Sequence, residues 1–243
     1  AVATRLRERL DQVVLGDPAL EAVRMGALAS HAQAADVAER VAALRAVASL
    51  VNDPGRMAPV GDGVAEGAFF APMLLLCDKP FDTDTAHEVE AFGPVSTLMP
   101  YDGDIDEALA LAARGRGSLV GTLVTRSPAI AAHAIPQAAA WHGRLLVLDR
   151  EAAVESTGHG SPLPQLKHGG PGRAGGGEEL GGLRAVTHCL QRAALQGSPT
   201  MLAAVTREHV RGAALIETEI HPFRRYFEDL QIGESLLTHR RTV

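Results

Sequence analysis

A carboxylate and an aromatic ring lie two residues apart in the segment Glu90-Ala91-Phe92-Gly93-Pro94-Val95. On an extended backbone, side chains two positions apart point the same way, so Glu90 and Phe92 could face one ligand. A carboxylate accepts hydrogen bonds from both hydroxyls of a ribose, and a ring beside it can pack against a flat heterocycle. Gly93-Pro94 would force the turn that fixes the two side chains. The alternative interpretation is a surface glutamate and a core phenylalanine before an edge strand.

A second candidate is the glycine-rich run from His168 to Glu179. Backbone N–H groups in such a run could hold a phosphate. The run lacks the Gly-Lys-Ser/Thr of a P-loop, a preceding strand and the spacing of a dinucleotide fingerprint, so it favours a tightly packed structural turn. The nearby Gly158-His159-Gly160-Ser161-Pro162 is not a nucleophile elbow, because its serine stands in the wrong place.

The two cysteines raise the question of a nucleophile. Cys77 ends the apolar run Met73–Leu76, and Cys189 lies beside Leu190 in a predicted helix, so we interpret both as buried, unreactive thiols. The ten histidines are scattered, without a His-x-x-x-His pair, and the cysteines form no Cys-x-x-Cys pair. We therefore expect no metal site.

The elements that must position these residues begin with helices. Apolar residues at helical spacing predict one helix over residues 2–13 and another over 37–51, which Asn52-Asp53-Pro54-Gly55 ends. Short strands are predicted at 69–77 and 95–101. The segment that carries Glu90 and Phe92 is therefore expected to lead into the second of these strands.

The next part of the chain predicts a parallel sheet. Asp104 is expected to cap one helix, and Ser127-Pro128 to begin another that runs to about residue 139. The second helix lies between apolar strands at 119–124 and 144–148, which is a β-α-β crossover. The fold class is therefore α/β.

After Asp149 the pattern changes to a long loop over residues 158–182, rich in glycine and almost without apolar side chains. Loops of this length in compact domains are usually functional. Helices are predicted at about 184–195 and from Ser198-Pro199 to about 210.

Bulk composition describes an ordinary globular protein, with 46% hydrophobic and 21% charged residues. A net charge of −6 without a basic run argues against nucleic acid, and no apolar stretch approaches the length of a membrane span. With two cysteines, the expected compartment is the reducing cytoplasm. The chain opens inside a helical pattern and its first methionine is Met25, so Ala1 is expected to be a cut end.

Three segments resemble the aldehyde dehydrogenase family. Glu90–Val95 is similar to its Glu-x-Phe-Gly-Pro motif and Ser118–Thr125 to the strand after that motif. Gly170–Arg173 resembles its late Ser-Gly-x-Gly-Arg segment, with Gly169 where the family often has serine. The matches occur in family order over about residues 1 to 197. The resemblance implies the catalytic lobe of that α/β fold over residues 1–210, lacking the N-terminal dinucleotide-binding lobe.

The late loop and the tail resemble bifunctional, ring-opening members from bacterial phenylacetate degradation, in which a semialdehyde dehydrogenase is fused to an enoyl-CoA-hydratase-like domain. Residues 155–166 are similar to their late loop, and His221–Leu230 to the opening of the hydratase-like, hot-dog-type domain. The resemblance therefore implies a linker over 211–220 and a truncated hot-dog domain over 221–243.

The resemblance also implies roles for residues. Glu90 would bind the nicotinamide ribose, Phe92 would pack against the nicotinamide, and the late loop would help to shape the aldehyde channel. In this family the nucleophilic cysteine lies upstream of the first helix found here, and the base, the oxyanion-hole asparagine and the dinucleotide-binding lobe lie further upstream. No catalytic residue is therefore expected in this chain, which is expected to be inactive alone.

The parent enzyme would oxidise a CoA-thioester semialdehyde to the acid with NADP. NAD stays open, because the residues that read the ribose 2′ position belong to the absent lobe. Besides this small-molecule substrate, the expected partners are the N-terminal lobe and further copies in a homo-oligomer, with no nucleic acid or membrane. The alternative is a non-catalytic α/β scaffold or interaction module that retains the shape of the lobe.

Overall fold

The structure, a computed structural model, describes residues 1–156, 169–175, 190 and 193–214. The chain divides into two compact units, Ala1–Asp102 and the part from Gly103 onward. This division falls inside the predicted 1–210 lobe. Most of the long glycine-rich loop, Cys189 and the tail over 221–243 lie outside the described residues, as does the linker beyond residue 214.

The first unit has a mixed sheet whose strands pair in the order β1-β2-β3, with β1 antiparallel to β2 and β2 parallel to β3. A short 3-10 turn at Pro54–Arg56 lies between β1 and β2. The elements are α1 (Val2–Leu10), α2 (His31–Arg45), β1 (Ser49–Leu50), β2 (Met73–Leu76), α3 (Thr85–Glu88) and β3 (Val95–Leu98). The predicted strands at 69–77 and 95–101 are therefore present but shorter.

Helix α2 begins where the Ser30 hydroxyl accepts a hydrogen bond from the backbone N–H of Gln33. Its apolar face is buried at Val37, Val41 and Leu44, as the helical spacing predicted. The predicted end near residue 51 is wrong, because Ser49 and Leu50 pair with β2 and the next backbone N–H bonds to Leu74.

One cluster of buried residues in the core of the first unit consists of Leu44, Ala48, Leu75 and Cys77. Burying a leucine side chain such as Leu44 or Leu75 is worth roughly 1.5–3 kcal/mol. Partly buried apolar residues pack around this cluster, some before and some after residues 90–94 in the sequence. They are Leu50, Ala86, Val89, Val95 and Met99.

In the second unit all described strand pairings are parallel, in the order β4-β5-β6. The predicted β-α-β crossover is confirmed, since α5 joins β4 to its parallel neighbour β5. The elements are α4 (Ile105–Ala113), β4 (Ser118–Val124), α5 (Pro128–Ala138), β5 (His142–Leu148), α6 (Ala152–Glu155), a 3-10 turn (Gly172–Ala174), β6 (Ala194–Gly197) and α7 (Pro199–Thr206).

Local signals set the helix ends in this unit. Asp104 caps α4 by accepting from the N–H of Asp106, and Ser127 caps α5 by accepting from the N–H of Ile130. Helix α7 ends at Thr206 and not near residue 210, because Arg207 turns left-handed at φ 59°. Helices α5 and α7 pack on strand β5 of the sheet. The buried residues at this contact are Ala131 and Ile135 of α5, Met201 of α7, and Leu145 and Val147 of β5.

One predicted helix is wrong at its end. Ala194 and Leu195, expected to close a helix, belong to β6 and pair with Arg144 and Leu145 of β5. In so short an apolar run, the spacing of the residues cannot distinguish a buried strand from a buried helix. The pairing with β5 shows that this run is a strand. The beginning of that predicted helix lies outside the described residues.

Candidate cofactor-orienting site

Glu90 and Phe92 lie on the loop between α3 and β3, and both are exposed. Phe92 is 67% exposed, so the alternative of a core phenylalanine is wrong for this chain. Within the described residues the Glu90 carboxylate accepts no hydrogen bond and forms no ion pair. Both side chains predicted to meet a ligand are thus available to one.

The backbone of this loop is fixed although its side chains are exposed. Val89 and Val95, at its two ends, pack against the core cluster. The carbonyl oxygen of Phe92 accepts a 2.6 Å hydrogen bond from Nε2 of Gln33, on α2. The carbonyl oxygen of Pro94 accepts one from the backbone N–H of Met73 at 2.9 Å.

Gly93 is required by a close approach to α2. A Cβ added there would lie 2.8 Å from Cγ2 and 3.0 Å from Cγ1 of Val37, a fully buried residue. Tight turns on either side are closed by hydrogen bonds from the N–H of Gly93 to Ala91 O, 2.7 Å, and from the N–H of Val95 to Gly93 O, 2.8 Å. The Gly-Pro turn predicted from the sequence therefore depends on packing against a helix far away in the chain.

The glycine-rich run is a structural turn over its described residues. The N–H groups of Gly170, Arg173, Ala174 and Gly175 all donate to backbone carbonyl oxygens of the protein, at 2.9–3.1 Å. These donors are therefore used within the fold, and none of the four is left to hold a phosphate. The structural interpretation is confirmed for residues 169–175.

This turn packs backbone against backbone at the amino ends of β4 and β5. A Cβ on Gly143 would lie 2.0 Å from Gly169 O, and one on Gly117 would lie 2.0 Å from Pro171 O. The glycines at these positions are therefore needed for close approach.

A polar cluster that the sequence did not predict lies at the carboxyl ends of β5 and β6. Asp149 Oδ2 accepts from the hydroxyl of Ser198 at 2.6 Å, and Oδ1 accepts from the N–H of Ala152 at 2.7 Å. It adjoins a cavity of about 280 Å³. The cavity is lined by Leu146, Glu151, Ala152, Glu155, Ser156, Gln196, Gly197, Ser198 and Pro199. In the sequence, the only signs of this cluster were an aspartate directly after a predicted strand and a Ser-Pro pair at a predicted helix start. The sequence alone does not show that Asp149 and Ser198 meet, because they are 49 residues apart.

Hydrogen bonds hold Asp149 in its charged form. Partial burial by itself raises the pKa of Asp149, but donation from the Ser198 hydroxyl and from the backbone N–H groups of Ala152 and Glu151 outweighs burial. The pKa therefore lies below the ordinary 3.8. Because the pKa of Asp149 is lower in the folded chain than in the unfolded chain, the charged carboxylate adds to the free energy of unfolding. This contribution is fully present at pH values above the unfolded-state pKa and is lost as the pH falls through the folded-state pKa.

We expect Ser198→Ala to lower the free energy of unfolding at pH 7 by about 1–2 kcal/mol, through loss of a charge-assisted hydrogen bond. The deficit should shrink below about pH 4, where Asp149 becomes protonated in the unfolded chain. Ser127→Ala is the matched control, since Ser127 caps a backbone N–H and should cost about 1 kcal/mol at all pH values. Denaturant unfolding from pH 2.5 to 7 measures both, and a pH-independent deficit for Ser198→Ala would contradict this account.

Cys77 is 1% exposed and lies in the core at the end of β2. The prediction that it is a buried thiol is confirmed, while Cys189 lies outside the described residues. In the described ranges no three His, Cys, Asp or Glu side chains are grouped as metal ligands. None of the described helices is long and apolar enough to span a membrane.

Comparison with known proteins agrees with the resemblance. The model of the aldehyde dehydrogenase family matches residues 1–188. Protein MaoC from Klebsiella aerogenes is 57% identical over 219 residues, covering 90% of this chain and 64% of that protein. A 3,4-dehydroadipyl-CoA semialdehyde dehydrogenase from Aromatoleum evansii is 40% identical over 173 residues, covering 70% of this chain and 33% of that protein.

Among solved structures, a mutant of aldehyde dehydrogenase C from Pseudomonas syringae, in complex with NAD+ and octanal, is similar. The match has a TM-score of 0.57 and 25% identity, and covers 77% of this chain and 35% of the other. The chain thus spans about two thirds of one relative and about a third of the other two.

Proposed function

Since the chain belongs to the aldehyde dehydrogenase family, we propose that it forms the cofactor-orienting part of an enzyme that oxidises an aldehyde with a nicotinamide dinucleotide. The observation that carries this proposal is the loop at Glu90 and Phe92, whose backbone is held at several points while its carboxylate and ring are exposed. A preorganised loop with unused side chains is what a ligand site requires.

The residues present fit the nicotinamide end of the cofactor. The free Glu90 carboxylate can accept hydrogen bonds from both hydroxyls of the adjoining ribose. The exposed ring of Phe92 can pack against the flat nicotinamide. When bound, the dinucleotide supplies the hydride acceptor. The contribution of this chain is to orient the reacting ring, which can supply a large part of a rate enhancement.

The finer proposals concern substrate and cofactor choice. We propose a CoA-linked semialdehyde from aromatic degradation, supported by the 40% identity to a 3,4-dehydroadipyl-CoA semialdehyde dehydrogenase. NADP is the proposed cofactor, and NAD is the second candidate. A cytoplasmic homo-oligomer remains part of the proposal.

The proposed domains are the dehydrogenase lobe over 1–210, a linker over 211–220 and the start of a hydratase-like domain over 221–243. In the full-length protein the hydratase-like domain would supply a second enzymatic activity. The support is sequence similarity alone, because the second and third segments lie almost wholly outside the described residues.

The experiment is an assay of the full-length protein with a CoA-linked semialdehyde and, as a control, the same semialdehyde without CoA. We expect reduction of NADP with the CoA thioester to exceed that with the free semialdehyde in kcat/KM, with NAD less effective. Equal rates for both aldehydes would contradict the proposed substrate. Failure of every aldehyde to reduce either dinucleotide would contradict the proposed enzyme class.

Cys77 gives a further prediction. Because the Cys77 side chain is 1% exposed in the core of the first unit, an aldehyde cannot reach its sulfur, and Cys77 cannot act as the nucleophile of the oxidation. The proposed nucleophile lies upstream of the first helix of this chain, so residues 1–243 alone should show no aldehyde-dependent reduction of NADP or NAD. Turnover that disappears when Cys77 or Cys189 is replaced by alanine would show that this placement of the nucleophile is wrong.

A further inference from the structure

The side chain of Gln33 joins the first turn of α2 to the loop that carries Glu90 and Phe92. Its Oε1 accepts a 3.0 Å hydrogen bond from the backbone N–H of Ala29, and its Nε2 donates to the Phe92 carbonyl oxygen at 2.6 Å. The two partners fix the orientation of the amide, because the oxygen must face the N–H and the nitrogen must face the carbonyl.

From this geometry we infer that Gln33 is a positioning residue, which holds the main chain at Phe92 and thereby sets the place of the Phe92 ring. The inference rests on the proposed function, since it takes the ring to be a nicotinamide contact. Gln33 itself is assigned no contact with substrate or cofactor.

The loop needs such a support because its ring is not held by packing. Phe92 is 67% exposed, so most of the surface of its side chain has no protein neighbour to set its direction. Val89 and Val95 anchor the ends of the loop, and Gly93 rests on Val37. The bond from Gln33 holds the main-chain carbonyl of the residue that carries the ring, and its two partners are 59 residues apart in the sequence.

Gln33→Glu separates the two ends of this link. The carboxylate keeps an oxygen that can accept from Ala29, and it adds negative charge in the first turn of α2, where the helix dipole favours it. At the other end it places oxygen against the oxygen of Phe92, so that the donor is lost and replaced by repulsion. Global stability should therefore be nearly unchanged while the loop is released.

Two further variants serve as controls. Ala32→Glu adds the same charge in the same helical turn at an exposed position, and it should change neither the loop nor the reaction. Gln33→Met keeps the approximate length of the side chain but removes both hydrogen bonds, so it tests whether loss of the donor alone releases the loop.

The first measurement is amide hydrogen exchange in the cofactor-free, full-length protein. The N–H groups of Gly93 and Val95 close the two tight turns of the loop and report its order directly. We expect exchange at these amides to become about tenfold faster in Gln33→Glu and Gln33→Met, and to be unchanged in Ala32→Glu. Unchanged exchange in both Gln33 variants would overturn the inference, whatever the role of Glu90.

The second measurement is single-turnover reduction of NADP by the same proteins, with the dissociation constant of NADP determined separately. Hydride transfer should slow about tenfold in Gln33→Glu, with a change below about threefold in NADP affinity, because misplacing the ring affects the reaction more than ground-state binding. Faster exchange without slower transfer would overturn the positioning role. The proposed function would still stand in that case if Glu90→Ala slows transfer, so the two failures are distinguishable.

Discussion

Replacing Glu90 by alanine in the full-length protein is expected to slow hydride transfer roughly ten- to a hundredfold. The carboxylate is exposed and makes no bond within the described residues, so its loss should leave the fold unchanged. Two charge-assisted hydrogen bonds to a ribose together contribute about 1.5–3 kcal/mol, which corresponds to that range of rates. Because the ribose carries the reacting ring, the loss should fall on the transfer step more than on cofactor affinity.

Single-turnover kinetics with NADP and with NAD measure this effect. Glu39→Ala, which removes an exposed carboxylate from α2, is the matched control and should transfer hydride at the wild-type rate. An unchanged transfer rate in Glu90→Ala, or an equal loss in both variants, would remove the role assigned to Glu90.

Gly143→Ala is expected to cost about 3 kcal/mol or more in the free energy of unfolding. The added methyl group would lie 2.0 Å from the carbonyl oxygen of Gly169 and 2.9 Å from Cα of Gly170, both buried. These are backbone atoms, so they cannot rotate away as a side chain could, and β5 must separate from the glycine turn. In a chain of this size the melting temperature should fall by roughly 10 °C.

Thermal and denaturant unfolding test this prediction with Gly115→Ala as the control. A Cβ on Gly115 would meet Ala112 O at 3.4 Å, an ordinary contact, so that variant should stay within about 1 kcal/mol of the wild type. Equal stabilities of the two variants would contradict the close packing of the glycine turn on β5.

Most of the fold could be predicted from local patterns in the sequence. The caps at Asp104 and Ser127 and the strands around α5 were all present in short stretches of residues, and they sufficed to predict a parallel sheet. The two-residue strand β1 was not predicted, because it depends on pairing with β2, which lies more than twenty residues later in the chain. The short helix α6 was not predicted, because its four residues are too few to show a helical period.

The residues of the candidate site were predicted, but what holds them was not. The Glu-x-Phe-Gly-Pro segment named Glu90 and Phe92 directly. The contact of Gly93 with Val37 and the hydrogen bond from Gln33 join residues that the sequence separates by more than fifty positions. Local sequence patterns cannot reveal such contacts. A glutamine on a partly polar helix face is common, and a glycine before a proline suggests only a turn.

Asp149 shows the same limit in the second unit. An aspartate after a strand and a serine before a proline are each common, and only the folded chain brings Asp149 and Ser198 to 2.6 Å. Their effect on the pKa of Asp149 follows from that distance and not from either local motif.

A crystal structure of the full-length protein with bound nicotinamide dinucleotide would show directly whether Glu90 and Phe92 orient the cofactor. We expect both hydroxyls of the nicotinamide ribose to lie within hydrogen-bonding distance, about 2.5–3.0 Å, of the Glu90 carboxylate, with the ring of Phe92 against the nicotinamide. A ribose held by other residues, with Glu90 still free, would contradict it.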